Sequence, residues 1–222
     1  VRSAISVKLT QLGLAFDRAL AERSLDEVLR CASEAGVFVR IDMEDSRYTA
    51  ATLEIFRAAR LQHDNVGIVV QAYLRRSAGD IEALAREGAP VRLVKGAYRE
   101  PPALAFASKR EVDESYTQLV DLYFATIALA PEPPGAKLAI ATHDPRMVRA
   151  ALQSVRAHGI GREHFEFQML YGIRTDLQRA LLDRGFPVRV YVPYGSNWYP
   201  YLMRRLAERP ANLWFFLRNA VR

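Results

Sequence analysis

Seven short apolar runs recur along the chain, each near a polar residue and each leading into a stretch with helical spacing. They are residues 4–9 (AISVKL), 37–42 (VFVRID), 66–73 (VGIVVQAY), 91–98 (VRLVKGAY), 138–143 (LAIATH), 165–170 (FEFQML) and 188–194 (VRVYVPY). Such apolar content predicts strands covered on both faces, as in a parallel sheet. Punctuation marks the helices between them. Ser24 and Glu27 form a capping box ahead of Leu25, Val28 and Leu29, and Gly36 closes that helix. Asp144-Pro145 reads as an N-cap with proline at the first helical position, before Val148, Ala151, Leu152 and Val155, and Gly159 ends that helix. Asp80 opens another helix, and Thr175 or Asp176 a further one that stops at Gly185.

The polar residues Lys8, Asp42, Gln71, Lys95, His143 and Gln168, with Tyr191, mark the strand ends. They repeat every 23 to 34 residues, apart from one gap of 48 between Lys95 and His143. That gap holds a turn at Pro101-Pro102, an amphipathic helix (Tyr116, Leu119, Val120, Tyr123, Ile127) and a second turn at 131–136. Regular βα alternation predicts an α/β architecture. Polar residues gathered at strand C-termini favour a (β/α)8 TIM-like barrel over a doubly wound sheet, because a barrel builds its site there. Seven strands are found where eight are needed, and Val1 begins almost on a strand. The expectation is a single catalytic barrel domain over 1–222 that lacks its first βα unit, in a chain that is a fragment of a longer protein or an incomplete record of it.

Composition narrows this reading. The chain has 222 residues, 50% hydrophobic and 25% charged, with a net charge of +6. The arginines are scattered with no run of five like charges, so anionic ligands are expected and nucleic acid is not. Cys31 is the single cysteine, which points to a reducing compartment, and its helical context predicts a small core residue. No apolar run reaches transmembrane length and residues 1–15 lack a signal-peptide layout, so the cytoplasm is expected, with peripheral membrane contact left open.

Several residues point to chemistry. A lone buried ammonium is costly, so Lys8 calls for a partner, and Asp42 on the adjacent strand supplies one at the barrel mouth. In YGSNWYPYLMRRLAE (194–208), Tyr201 shares a helix face with Arg204 and Arg205, and Glu208 lies one turn on. Adjacent guanidiniums repel unless an anion sits between them. Glu208 satisfies one, and the other is left to hold a ligand carboxylate. His143, with Thr142 and the following helix N-terminus, reads either as a strand-end histidine or as a phosphate or ribose contact. Gly96-Ala97 lets a planar ring approach the backbone. Tyr98, Tyr191 and Tyr201 read equally as packing or ligand aromatics. Gly159 and Gly161 follow a helix, the wrong order for a dinucleotide fingerprint. His63, His158 and His164 lack ligand spacing, so no metal is expected.

Together these motifs resemble the proline dehydrogenase family. The Y-x-x-R-R segment at 201–205 is the most specific, supported by LVKGAY (93–98), ATHDP (141–145) and FQMLYG (167–172). The resemblance implies oxidation of L-proline to Δ1-pyrroline-5-carboxylate by hydride transfer to N5 of FAD, the first step of proline catabolism. It implies that Arg204 and Arg205 clamp the substrate carboxylate, with Glu208 holding one arginine. Tyr98, Leu170, Tyr191 and Tyr201 would wall the ring, and Lys8 and Asp42 would form a charged pair beside it. Val69, Gln71, Arg92, Val94, Lys95, Gly96 and Ala97 would border the isoalloxazine. Thr142, His143, Asp144 and Gln168 would face ribose, adenine and phosphates, although family members often carry Asn where this chain has Asp144. Tyr191, where serine would admit a hydroxylated ring, argues for plain proline. The family implies a quinone acceptor, hence the inner face of a bacterial membrane, and a downstream pyrroline-5-carboxylate dehydrogenase. Another barrel flavoprotein or a carboxylate-binding barrel lyase is the alternative.

Overall fold

A computed structural model of the chain describes residues 3–129 and 136–195. Its strands are β1 (Ala4–Val7), β2 (Phe38–Ile41), β3 (Val66–Gln71), β4 (Val91–Val94), β5 (Leu138–Ala141), β6 (Phe165–Leu170) and β7 (Val188–Tyr191). The helices are α1 (Arg18–Glu34), α2 (Ser46–Arg60), α3 (Ser77–Arg86), α4 (Lys109–Ala128), α5 (Pro145–Ala157) and α6 (Thr175–Asp183). All seven expected strands are present, in one sheet ordered β1 to β7. Pairing is parallel from β1 through β6. The chain divides into two compact units, 1–189 and 190–222, and most of the second lies outside the described residues.

The sheet is curled, and one side chain demonstrates it. Arg92 of β4 donates to Ser6 of β1 at 3.1 Å, to Asp42 beyond β2 at 3.0 Å and to Gln168 of β6 at 2.6 Å. In a flat sheet β1 and β4 would lie about 14 Å apart. No guanidinium could then reach β1 and β6 together. The strands therefore wrap around a lumen into which Ser6, Arg40, Arg92, Glu166 and Gln168 project.

The alternate residues point outward and are sealed by helices. Val39, Ile41, Ile68, Val91, Leu93, Leu138, Ile140, Phe165 and Phe167 are fully buried there. Phe124 of α4 meets Phe165 edge-on at 6.2 Å, and Phe165 meets Phe167 at 5.9 Å. The two tyrosines of α4 reach the sheet with satisfied hydroxyls: Tyr123 donates to the Ala89 carbonyl at 2.8 Å and Tyr116 to that of Leu93 at 3.3 Å. Burial of the outward face under the helices supplies the apolar residues of each run, and the polar and charged ones between them face the lumen.

Helix ends follow sequence chemistry, with two corrections at helix starts and a third at Cys31. Asp144 caps α5 with Pro145 next to it, as expected, and Gly36, Gly159 and Gly185 all follow helix ends with positive φ. The expected start at Ser24 is wrong: α1 begins at Arg18, capped by Asp17, and Ser24 lies inside it. The apolar stripe extends back to Ala21, so one more turn is stabilised by packing and the earlier cap wins. Asp80 sits within α3, pairing with Arg76 at 2.6 Å, rather than opening the helix. Cys31 is exposed, because the buried stripe of α1 runs through Leu25, Leu29 and Ala32 and passes beside it. The turn expected at 131–136 falls almost wholly outside the described residues.

The foot of the lumen holds a dense charge cluster. Arg40 is buried; its Nη1 donates to the carbonyls of Pro90 at 2.6 Å and Ile68 at 3.3 Å. Gly67 makes this possible, since a Cβ there would stand 2.4 Å from that nitrogen. Burial first, and then the nearby charge of Arg92, lower the Arg40 guanidinium to about 9. Glu166 is also buried. It accepts from Arg189 at 2.7 Å and Gln168 at 2.6 Å, and pairs with Lys137 at 3.0 Å. Burial by itself would raise this carboxyl. Arg189, Gln168 and Lys137 outweigh it and hold the group at about 2, against an ordinary 4.5.

A carboxyl depressed on folding stabilises above its unfolded value and loses that contribution as pH falls through the folded one. Glu166 should therefore contribute about 3 kcal/mol at neutral pH, lost progressively from pH 4.5 toward 2. The check is urea unfolding of wild type and Glu166→Gln from pH 7 to pH 3. The expected result is a gap that is widest at neutral pH and narrows below 4.5, and a pH-independent gap would contradict it.

Candidate functional site

The strand C-termini carry the expected polar residues to one end of the sheet. Lys8 follows β1 and Asp42 follows β2, and their side chains meet, Nζ to Oδ2, at 3.0 Å. The pairing expected from adjacent strands is therefore formed. The other carboxylate oxygen of Asp42 accepts from Arg92 Nη1 at 3.0 Å. One acid thus binds two cations, and its side chain is only 17% exposed. Arg92 is held on its far side by Gln168, whose Oε1 accepts from Nε at 2.6 Å. Ser6, 86 residues away in sequence, completes the ring of acceptors.

Gln71, at the end of β3, donates from Nε2 to the Met43 carbonyl at 3.4 Å. Its Oε1 is buried and has no hydrogen-bond partner among the described residues. An unpartnered buried carbonyl is expensive in a finished protein and ordinary in a ligand site. Val69, on the same face of the strand, is buried beside it.

Beyond β4 the chain turns at Gly96, with φ of +109°. A Cβ here would lie 2.1 Å from the Tyr73 ring. The ring this glycine admits is thus one of the protein's own. The Lys95 ammonium points to the helix ends and pairs with Asp113 of α4 and, at 3.5 Å, with Asp144. Arg146 bridges the same two acids at 3.1 and 3.0 Å. Arg146 foremost, then Lys95, hold the Asp144 carboxyl well below the usual range despite partial burial. Asp144 also accepts from the Arg146 backbone N–H at 3.0 Å, as the cap of α5. Val94 is half-buried, and Ala97 and Tyr98 are exposed in the following loop.

After β5, Thr142 is buried and its Oγ1 accepts from the Asp144 N–H at 3.1 Å. His143 Nε2 receives the Leu170 N–H at 2.8 Å. A backbone N–H can only donate, so Nε2 is unprotonated and the ring proton sits on Nδ1. The same bond fixes Leu170 at the end of β6. Gln168 uses both ends of its amide inside the lumen, toward Arg92 and Glu166. Tyr191 ends β7. Tyr201, Arg204, Arg205 and Glu208 lie outside the described residues.

Two acids hold the mouth loops and escaped the sequence reading. Glu44 accepts from Thr10, at N (3.1 Å) and Oγ1 (2.6 Å), and pins the loop after β1. Glu100, in the loop after β4, grips the first residue of α2 through Ser46 N (2.7 Å) and Oγ (2.6 Å). The Arg92–Asp42 bond and Glu166 also went unread. Asp42 stands 50 residues from Arg92 and Arg189 stands 23 from Glu166, so no local pattern marks those bonds. The available signal was the alternation of β4 and β6, which puts Arg92, Glu166 and Gln168 on one face.

The site can thus bind anions beside a charged triad and accept an N–H at Gln71. No helix among the described residues is long and apolar enough to cross a membrane. The sequence model of the proline dehydrogenase family matches residues 1–218. Proline dehydrogenase 2 of Bacillus subtilis is 41% identical over 219 residues, covering 99% of this chain and 70% of that protein. Proline dehydrogenase of Deinococcus radiodurans is 40% identical over 227 residues, covering 100% of this chain and 71% of that protein. Among solved structures, proline utilization A of Bdellovibrio bacteriovorus, inactivated by N-propargylglycine, superposes with a TM-score of 0.78 at 32% identity. The match covers 90% of this chain and 24% of that one, so this chain corresponds to about a quarter of that longer protein. The curled sheet corresponds to part of its barrel. The chain belongs to the proline dehydrogenase family of oxidoreductases.

Proposed function

We propose that this chain, as a single catalytic domain, oxidises L-proline to Δ1-pyrroline-5-carboxylate with FAD as its cofactor, the first step of proline catabolism. The observation that carries this reading is the triad Lys8–Asp42–Arg92 at the strand ends of a chain of this family. The residues present fit the cofactor. The buried Oε1 of Gln71 lacks a donor, and an isoalloxazine edge offers an N–H. The chemistry FAD supplies when bound is hydride acceptance at N5.

The chain's own groups do the rest. Arg204 and Arg205 grip the substrate carboxylate, and Glu208 steadies one of them. Lys8 and the two arginines make an ammonium unfavourable on the substrate nitrogen, which frees the amine lone pair. Tyr98, Leu170, Tyr191 and Tyr201 wall the ring and exclude water. Holding two reacting centres in this way supplies about 7–11 kcal/mol of barrier lowering. Gln71 and Arg92, with Val69, Val94, Lys95, Gly96 and Ala97, would hold the isoalloxazine. Thr142, His143 through Nδ1–H, and the N-terminus of α5 behind Asp144 serve the ribose and phosphates. The Asp144 carboxylate is committed to Arg146 and Lys95, so it contributes through the cap it forms. A quinone is the electron acceptor, reached from the cytoplasm at the inner face of a bacterial membrane, and a pyrroline-5-carboxylate dehydrogenase takes the product.

The purified protein should be yellow, and anaerobic L-proline should bleach it. A colourless protein that FAD does not reconstitute would favour a carboxylate-binding barrel lyase instead. N-propargylglycine, which inactivates the Bdellovibrio protein, should abolish the bleaching.

Arg205→Met should raise KM for proline about 10- to 100-fold, the loss of about 1.5–3 kcal/mol for a bond to a charged group. An unchanged KM would remove the clamp. Asp42→Asn strips Lys8 and Arg92 of their shared acid and should lower kcat/KM at least about tenfold. Wild-type kinetics in that variant would show the triad to be incidental.

A further inference from the structure

Glu166 has no part in the reaction as set out above, yet it is buried and ionised inside the lumen. It stands two residues before Gln168 on β6, so both side chains project from the same face of the strand. The Gln168 amide lies between two groups of opposite character. Its Nε2 donates to Glu166 Oε1 at 2.6 Å, and its Oε1 accepts from Arg92 Nε at 2.6 Å. A guanidinium nitrogen can only donate, and an ionised carboxylate can only accept. Only one orientation of the amide satisfies both. A flipped amide would set its NH2 against the guanidinium and its carbonyl against the carboxylate.

We propose that Glu166 is a positioning residue for Arg92, acting through the orientation of the Gln168 amide. The carboxylate keeps the amide oxygen turned toward Nε, and Arg92 is then held in plane between Gln168 and the Asp42 and Ser6 acceptors. Arg189 and Lys137 fix the carboxylate from its other side. The chain of bonds runs from the foot of the sheet to its mouth: Lys137 and Arg189, Glu166, Gln168, Arg92, Asp42, Lys8. The effect on catalysis rests on the proposed placement of Arg92 at the cofactor. The effect on Arg92 itself does not.

The test uses the flavin-loaded full chain with Glu166→Gln, Gln168→Met, the double variant and Lys137→Met. Proline turnover gives kcat and KM, and the exchange rate of the Arg92 Nε–H, followed in 15N-arginine-labelled protein, gives the bond directly. We expect Glu166→Gln and Gln168→Met each to lower kcat about 10- to 100-fold, with a smaller change in KM, and to speed Nε–H exchange. The double variant should resemble either single one, since both interrupt one path. Lys137→Met removes one ion pair from Glu166 while Arg189 and Gln168 still hold the carboxylate, so it should lower kcat and speed Nε–H exchange in the same direction as Glu166→Gln but by less. A Glu166→Gln protein with lowered Tm but wild-type kcat and Nε–H exchange would overturn the proposal, as would additive losses in the double variant. Should the wild type fail to oxidise proline, the proposed function falls, and the Nε–H exchange still decides whether Glu166 positions Arg92.

Discussion

A guanidinium cannot be left inside a sheet barrel without acceptors, and Arg92 dictates how they are supplied. It emerges from β4 into the lumen and is only 10% exposed. Its bonds go to β1, to the residue after β2, and to β6. Removing one partner of such a buried charge typically costs 3–5 kcal/mol, because the charge remains behind. The curl of the sheet and the pairing at its mouth therefore support one another. The strands must wrap for Arg92 to be satisfied, and once it is satisfied Asp42 is held where Lys8 also reaches it. The same contacts that close the fold build the charged end of the site.

The surrounding loops are made rigid by the same device on a smaller scale. Glu44 and Glu100 each bind a backbone N–H and a hydroxyl of one residue, Thr10 in the loop after β1 and Ser46 at the start of α2. Carboxylate bonds to backbone N–H groups are among the stronger protein hydrogen bonds. Asp144 does similar work for α5 while balancing Lys95 and Arg146. Loops anchored in this way present strand-end side chains with little freedom, which orientation-dependent chemistry requires.

What could be read from the chain divides along a physical line. Strands were legible because burial of alternate residues under the helices leaves an apolar-rich run that is visible locally, and 165–170 matches β6 residue for residue. The Lys8–Asp42 pair was legible because parallel neighbours put consecutive strand ends together. Helix starts were less so: Ser24 offers capping chemistry, but packing through Ala21 extends α1 back to a cap at Asp17. Cys31 is apolar enough for the core and still falls between buried positions of its helix. The bonds of Arg92 and Glu166 depend on how tightly the sheet curls, a property of all the strands together that no window of sequence contains. The arginine pair at 204–205 stands out in the sequence and lies beyond the described residues.

The lumen also carries an uneven balance of charge. Among the described residues, Lys8, Arg40, Arg92, Lys137 and Arg189 project cations toward it, and Asp42 and Glu166 answer them. Burial lowers Arg40 toward 9, which shows that desolvation is felt, yet even that value leaves it charged at neutral pH. An interior with surplus positive charge resists further cations and welcomes anions. A substrate carboxylate lowers the energy of such a site, and so does negative charge delivered with a hydride to a bound acceptor. Backbone carbonyls of Pro90 and Ile68 take up part of the excess through Arg40. An anionic occupant would relieve the remainder, so under the proposed function binding and catalysis would draw on a charge imbalance already built into the sheet.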